Sequence, residues 1–130
     1  MNIANRNLTL VEDTATGMVN CIAGCRVDLN VGETASLAVP FNQGFRLRCH
    51  LIGDDPEEDD LLFTYPKSKK FDNLLEILNV NQVFEADISS DMLNEDPNSI
   101  DEIQARFTLI NLSTGESVVK RSNKVVREFA

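Results

Sequence analysis

A chain of 130 residues is the ordinary size of one domain and too short for two independent cores. Apolar residues make up 42% and charged residues 25%, near globular averages, which excludes wholesale disorder. The formal net charge of −9, from 21 acidic and 12 basic residues, repels phosphate and argues against direct binding of nucleic acid or an anionic membrane.

Met1 to Arg6 hold no apolar core of signal-peptide length, and no stretch approaches the length of a membrane span. The expected location is therefore the cytoplasm or the interior of a virus-like particle. Three cysteines, an odd number, fit reduced thiols and no disulfide. Alternation begins at Cys21, where Cys21, Ala23, Cys25, Val27 and Leu29 share one face of a strand. Val31-Gly32-Glu33-Thr34 reads as a turn, and the next run puts Ala35, Leu37 and Val39 on one face of a strand ending at Pro40.

After the turn at Asn42-Gln43-Gly44, Phe45, Leu47, Cys49 and Leu51 alternate with Arg46, Arg48, His50 and Ile52. Gly53 to Asp60 is an acidic loop, and Leu61 to Tyr65 a short strand stopped by Pro66. Leu74, Leu75, Ile77 and Leu78 have helical spacing, and Asn73 with Glu76 resembles a capping box. Alternation returns at Phe84, Ala86 and Ile88, yields to a polar loop from Asp91 to Glu102, and resumes at Ile103, Ala105, Phe107 and Leu109. Ser113-Thr114-Gly115-Glu116 predicts a hairpin turn before strands at Val118-Val119 and Val125-Val126.

These elements predict an all-β fold: an antiparallel β-sandwich of seven or eight strands with one short helix near 73–78, filling residues 1–130 as a single domain. The run Val27-Asp28-Leu29-Asn30-Val31-Gly32-Glu33, followed by an alternating stretch, resembles immunoglobulin-like sandwich domains. So does Phe107-Thr108-Leu109-Ile110-Asn111 before Thr114-Gly115-Glu116. The resemblance implies two packed sheets and no particular function. The chain departs from antibody domains in having no Trp and no matching cysteine spacing.

Cys21, Cys25, Cys49 and His50 are the residues that look most like a zinc set. Strand geometry opposes it, because residues four apart on a strand lie about 13 Å apart, whereas zinc binds sulfur at about 2.3 Å. Cys49 and His50 also point to opposite faces. No metal site is favoured there, and no serine or cysteine is placed to use His50 as a base. The run Asp54-Asp55-Pro56-Glu57-Glu58-Asp59-Asp60 carries six carboxylates in seven positions. Asp54, Asp55, Glu57, Glu58, Asp59 and Asp60 are candidate calcium ligands, although the run lacks the glycine and spacing of a calcium-binding hand. With Asp91, Glu95 and Asp96 of the second acidic loop they are also candidate contacts to a partner. Lys67-Ser68-Lys69-Lys70 can pair with the preceding acids. Asn7-Leu8-Thr9 and Asn111-Leu112-Ser113 match the glycosylation pattern but follow no secretory leader. Phosphate loops and the common hydrolase and metalloprotease motifs are absent from the sequence.

The expectation is a non-catalytic protein-interaction or assembly module, acting through acidic loops or an edge strand on another protein, a second copy of itself included. No cofactor is expected. A calcium-binding sandwich and an acidic inhibitor of a nucleic-acid-binding protein are the alternatives.

Overall fold

A computed structural model describes residues 1–53, 60–73, 76–77, 80–93 and 101–127. Within them β1 (Asn2–Asp13), β2 (Met18–Asp28) and β6 (Asn81–Ser89) make an antiparallel three-stranded sheet with β2 in the centre. A six-stranded sheet runs β4 (Asp60–Thr64), β3 (Phe45–Gly53), β7 (Asp101–Asn111), β8 (Ser117–Arg121). Along its two edges, β5 (Lys69–Phe71) continues the β4 line against β3, and β9 (Val125–Arg127) continues the β8 line against β7. The result is an all-β sandwich of antiparallel strands.

Period-two burial explains the sandwich. On β2 it sinks Val19, Cys21, Ala23, Cys25 and Val27; on β3, Phe45, Leu47, Cys49 and Leu51; on β7, Ile103, Ala105, Phe107 and Leu109. Phe84 of β6 reaches across to Phe107 with ring centroids 6.3 Å apart, and Tyr65 packs on Phe84 at 5.7 Å. The Tyr65 hydroxyl donates to the Cys21 carbonyl at 3.0 Å, so one buried hydrogen bond ties the edge of one sheet to the middle strand of the other. Tyr65→Phe keeps the ring and removes only that bond. Urea unfolding should report a loss of about 1 kcal/mol with an unchanged slope.

Several elements depart from the sequence reading. β1 is a full strand that the sequence hides, because a bulge between Ala4 and Asn7, with Asn5 at φ 50°, changes the parity of the buried residues. Ile3 is buried before the bulge and Leu8 and Leu10 after it, so no single alternation spans the strand. The Asn123 side chain closes part of the outer edge of β1: its Oδ1 accepts from Leu8 N–H at 2.9 Å and its Nδ2 donates to Leu8 O at 3.2 Å.

The expected turn at 31–34 and strand at 35–39 are replaced by α1 (Val31–Ser36) and the turns after it. Asn30 and Glu33 form a capping box, each side chain accepting from the other's backbone N–H at 2.8 and 2.9 Å. This local cap wins because no strand among the described residues pairs with the segment. The alternating stretch that supported the immunoglobulin resemblance after Glu33 is therefore the end of a helix and the turns that follow it, not a strand. Near 73–78, Asn73 Oδ1 accepts from Glu76 N–H at 3.2 Å, the expected cap; residues 74–75 and 78 lie outside the described residues. Of the polar loop expected from Asp91 to Glu102, Asp91 to Leu93 belong to α2 (Ser90–Leu93) and Asp101 and Glu102 to β7, and residues 94–100 lie outside the described residues.

Candidate interaction surfaces

The three thiols are buried and unpaired, as the alternation requires. Burial pushes Cys21 and Cys25 up to about 12 and raises Cys49 further, so none offers a thiolate near neutral pH. Among the described residues, no three His, Cys, Asp or Glu side chains are arranged to hold a metal ion. Of the nine acidic candidates, Asp60 opens β4 and Asp91 lies in α2, both exposed, on elements that touch each other. Asp54, Asp55, Glu57, Glu58, Asp59, Glu95 and Asp96 lie outside the described residues.

What the alternating strands leave outside is more informative. On the outer face of the six-stranded sheet, Arg46, Arg48 and His50 follow one another at two-residue spacing along β3. The register places Lys70 and Ile110 beside Arg46, Thr108 beside Arg48, and Arg106 beside His50; Arg121 of β8 lies opposite Arg106. Burial, followed by the nearby Arg106 and Arg48 cations, lowers the His50 imidazole from its ordinary value. The charge of this face at neutral pH therefore rests on arginine and lysine.

The outer face of the three-stranded sheet carries the opposite sign. Asp13 of β1 and Glu85 and Asp87 of β6 surround Met18 and Asn20 of β2 and Val11 of β1 in a shallow depression of about 610 Å³. Asn20 Nδ2 donates to Glu85 Oε1 at 3.1 Å and to Asp87 Oδ1 at 2.9 Å, which holds the two carboxylates in place. Arg26 on this face is paired with Asp28 at 2.9 Å. A second cleft, of about 510 Å³, lies between the free edge of β6 and the segment joining β4 to β5; Tyr65, Pro66, Lys69, Val83 and Phe84 line it. No family model, curated protein or solved structure matches this chain.

The segment between α1 and β3 is the third outward feature. Phe41 is 100% exposed and Val39 58% exposed, although both are large and apolar. Phe41 also has φ 71°, a left-handed backbone that an aromatic residue rarely adopts. The tip is held firmly. Asn42 Nδ2 donates to Ser36 O at 2.7 Å, Asn42 N–H donates to Val39 O at 3.2 Å, and Gln43 N–H donates to Ser113 Oγ at 3.0 Å. Sequence reading placed Val39 with Ala35 and Leu37 on one face of a strand and gave Phe41 no role. The Pro40-Phe41-Asn42 sequence marks a turn but does not show which side of it meets water. No helix among the described residues is long and apolar enough to cross a membrane.

Proposed function

We propose that this chain is a non-catalytic protein-interaction module that docks through the loop carrying Val39 and Phe41. The observation that carries the reading is the cost of Phe41. A fully exposed phenylalanine contributes nothing to the core, and its left-handed backbone costs about 1 kcal/mol or more. Neighbouring hydrogen bonds hold the residue in that conformation, as they would a contact residue presented in its bound geometry. Exposed aromatics seated in a partner's surface often contribute much of the binding energy.

The test is Phe41→Gly. Glycine adopts φ 71° freely, so the variant is expected to be about 1 kcal/mol more stable in urea unfolding. Affinity capture from the source cell should then lose its specific partners relative to the wild type. An unchanged set of captured proteins, or a variant that is markedly less stable, overturns this reading.

A further inference from the structure

The two sheets of the sandwich face opposite ways, and their outer faces carry opposite charge. On one, Arg46 and Arg48 stand two residues apart on β3, with Arg106 one strand over in the following row. On the other, Glu85 and Asp87 stand two residues apart on β6, with Asp13 across β2 in the row beyond Asp87. Residues two apart on a strand are about 7 Å apart and neighbouring strands about 4.8 Å apart, so the pairs Arg46–Arg48 and Glu85–Asp87 share one spacing, while Arg106 stands about 5 Å and Asp13 about 10 Å to the side of its pair. Each array is also flanked by exposed apolar side chains: Val119, 52% exposed, on the basic face, and Val11, 57% exposed, on the acidic one. On a chain of net charge −9, the gathering of arginines on one face is a departure from the overall balance.

We propose that a second copy of this chain occupies the basic face, its Asp13, Glu85 and Asp87 meeting Arg46, Arg48 and Arg106 of the first. This contact is independent of the Phe41 loop. The two surfaces differ, so the contact is heterologous, and each copy leaves one face of each kind free for the next. Because the faces lie on opposite sides of the sandwich, the product is an open stack, with sheets about 10 Å apart both within and between copies and a repeat of about 20 Å. The three-stranded acidic face, with strands of 12, 11 and 9 residues, offers only about 500 Å² per partner, below the roughly 800 Å² of a standard stable interface. Association is therefore weak, driven by concentration and sensitive to salt. Nucleic acid fits the basic face less well, since the described outer-face partners of Arg46, Arg48 and His50 include no aromatic ring on which a base could stack.

Sedimentation equilibrium of the purified 130-residue chain tests this. At about 50 mM salt the average mass should climb past that of a dimer as concentration rises, and about 500 mM salt should weaken association about tenfold. Arg48→Gln/Arg106→Gln removes the basic face and Glu85→Gln/Asp87→Asn removes the acidic one, each without creating a charge that the other variant could match. Each variant alone should stay monomeric, and an equimolar mixture should give one-to-one dimers and stop there. Pairing in the mixture also shows that both variants are folded; should circular dichroism show either unfolded, Arg48→Ala, at an exposed position, should still weaken wild-type assembly about tenfold. A wild type that remains monomeric at about 0.5 mM, or stops at a dimer, overturns the proposal. So does an acidic-face variant that assembles as well as the wild type, or a basic face that binds a single-stranded oligonucleotide while the chain does not self-associate. None of these results touches the Phe41 reading, which Phe41→Gly decides separately.

Discussion

Gly44→Ala is expected to abolish the native fold. Gly44 sits at φ 80°, one residue before β3, where the chain turns from the Phe41 loop into the core. A Cβ built there would overlap the Phe71 carbonyl oxygen and lie 3.2 Å from Asp72 Cα. Those are backbone atoms, and Phe71 is held in place by the pairing of β5 with β3 at Phe45. On the other side, Gly44 O accepts from Leu112 N–H at 2.9 Å, which fixes the hairpin between β7 and β8 to the same point. Relief of the clash must therefore separate β5 from β3 or break the link to Leu112. The strained φ alone costs about 1 kcal/mol, and forced displacement of packed backbone brings the total to about 4 kcal/mol or more, much of a domain's entire stability. Urea unfolding of Gly44→Ala should show the midpoint collapsing toward zero denaturant. A variant within about 1 kcal/mol of the wild type would mean that the Gly44–Phe71 approach is not as close as described.

The sandwich was legible wherever one parity of residues carries the apolar side chains without interruption. β2, β3 and β7 were read this way, and so was the consequence that Cys21 and Cys25 cannot converge. Reading failed where a local device breaks or overrides the alternation. In β1 the bulge at Asn5 moves the buried set from Ile3 to Leu8 and Leu10. In 31–39 a capping box starts a helix that ends at Ser36, and turns replace the rest of the alternating apolar pattern. The charged faces were half legible. Arg46, Arg48 and His50 announce a shared face by their spacing, but the addition of Arg106 and Lys70 depends on register, which is set by contacts between distant segments. Phe41 was invisible because exposure of a turn residue is decided by the loop's hydrogen bonds and not by its own type.

Alkaline pH should unfold this domain through its core thiols. Cys21 and Cys25 are 0% and 2% exposed, and burial raises both from an ordinary value of 9.0 to about 12. Cys49 is raised by burial and then by the neighbouring Cys25, and the Tyr65 phenol by burial and then by Cys49 and Cys21. In the unfolded chain the thiols lose their protons as pH passes about 9, whereas in the folded chain they keep them until about 12. The folded state thus binds more protons throughout that window. The thiols' contribution is complete below pH 9 and is lost progressively as pH rises toward the folded values. Each thiol removes about 1.4 kcal/mol per pH unit in the window, so Cys21 and Cys25 together cost about 4 kcal/mol by pH 10.5. Cys49 adds to this, and so does Tyr65 above pH 10. The measurement is unfolding free energy against pH from 8 to 11 for the wild type and for Cys25→Ala. The wild-type slope should exceed that of the variant by one proton, even though the variant begins from a lower stability because of the cavity it leaves. Parallel slopes would show that the thiols ionise equally in both states, and the packed interior assigned to them would then be wrong.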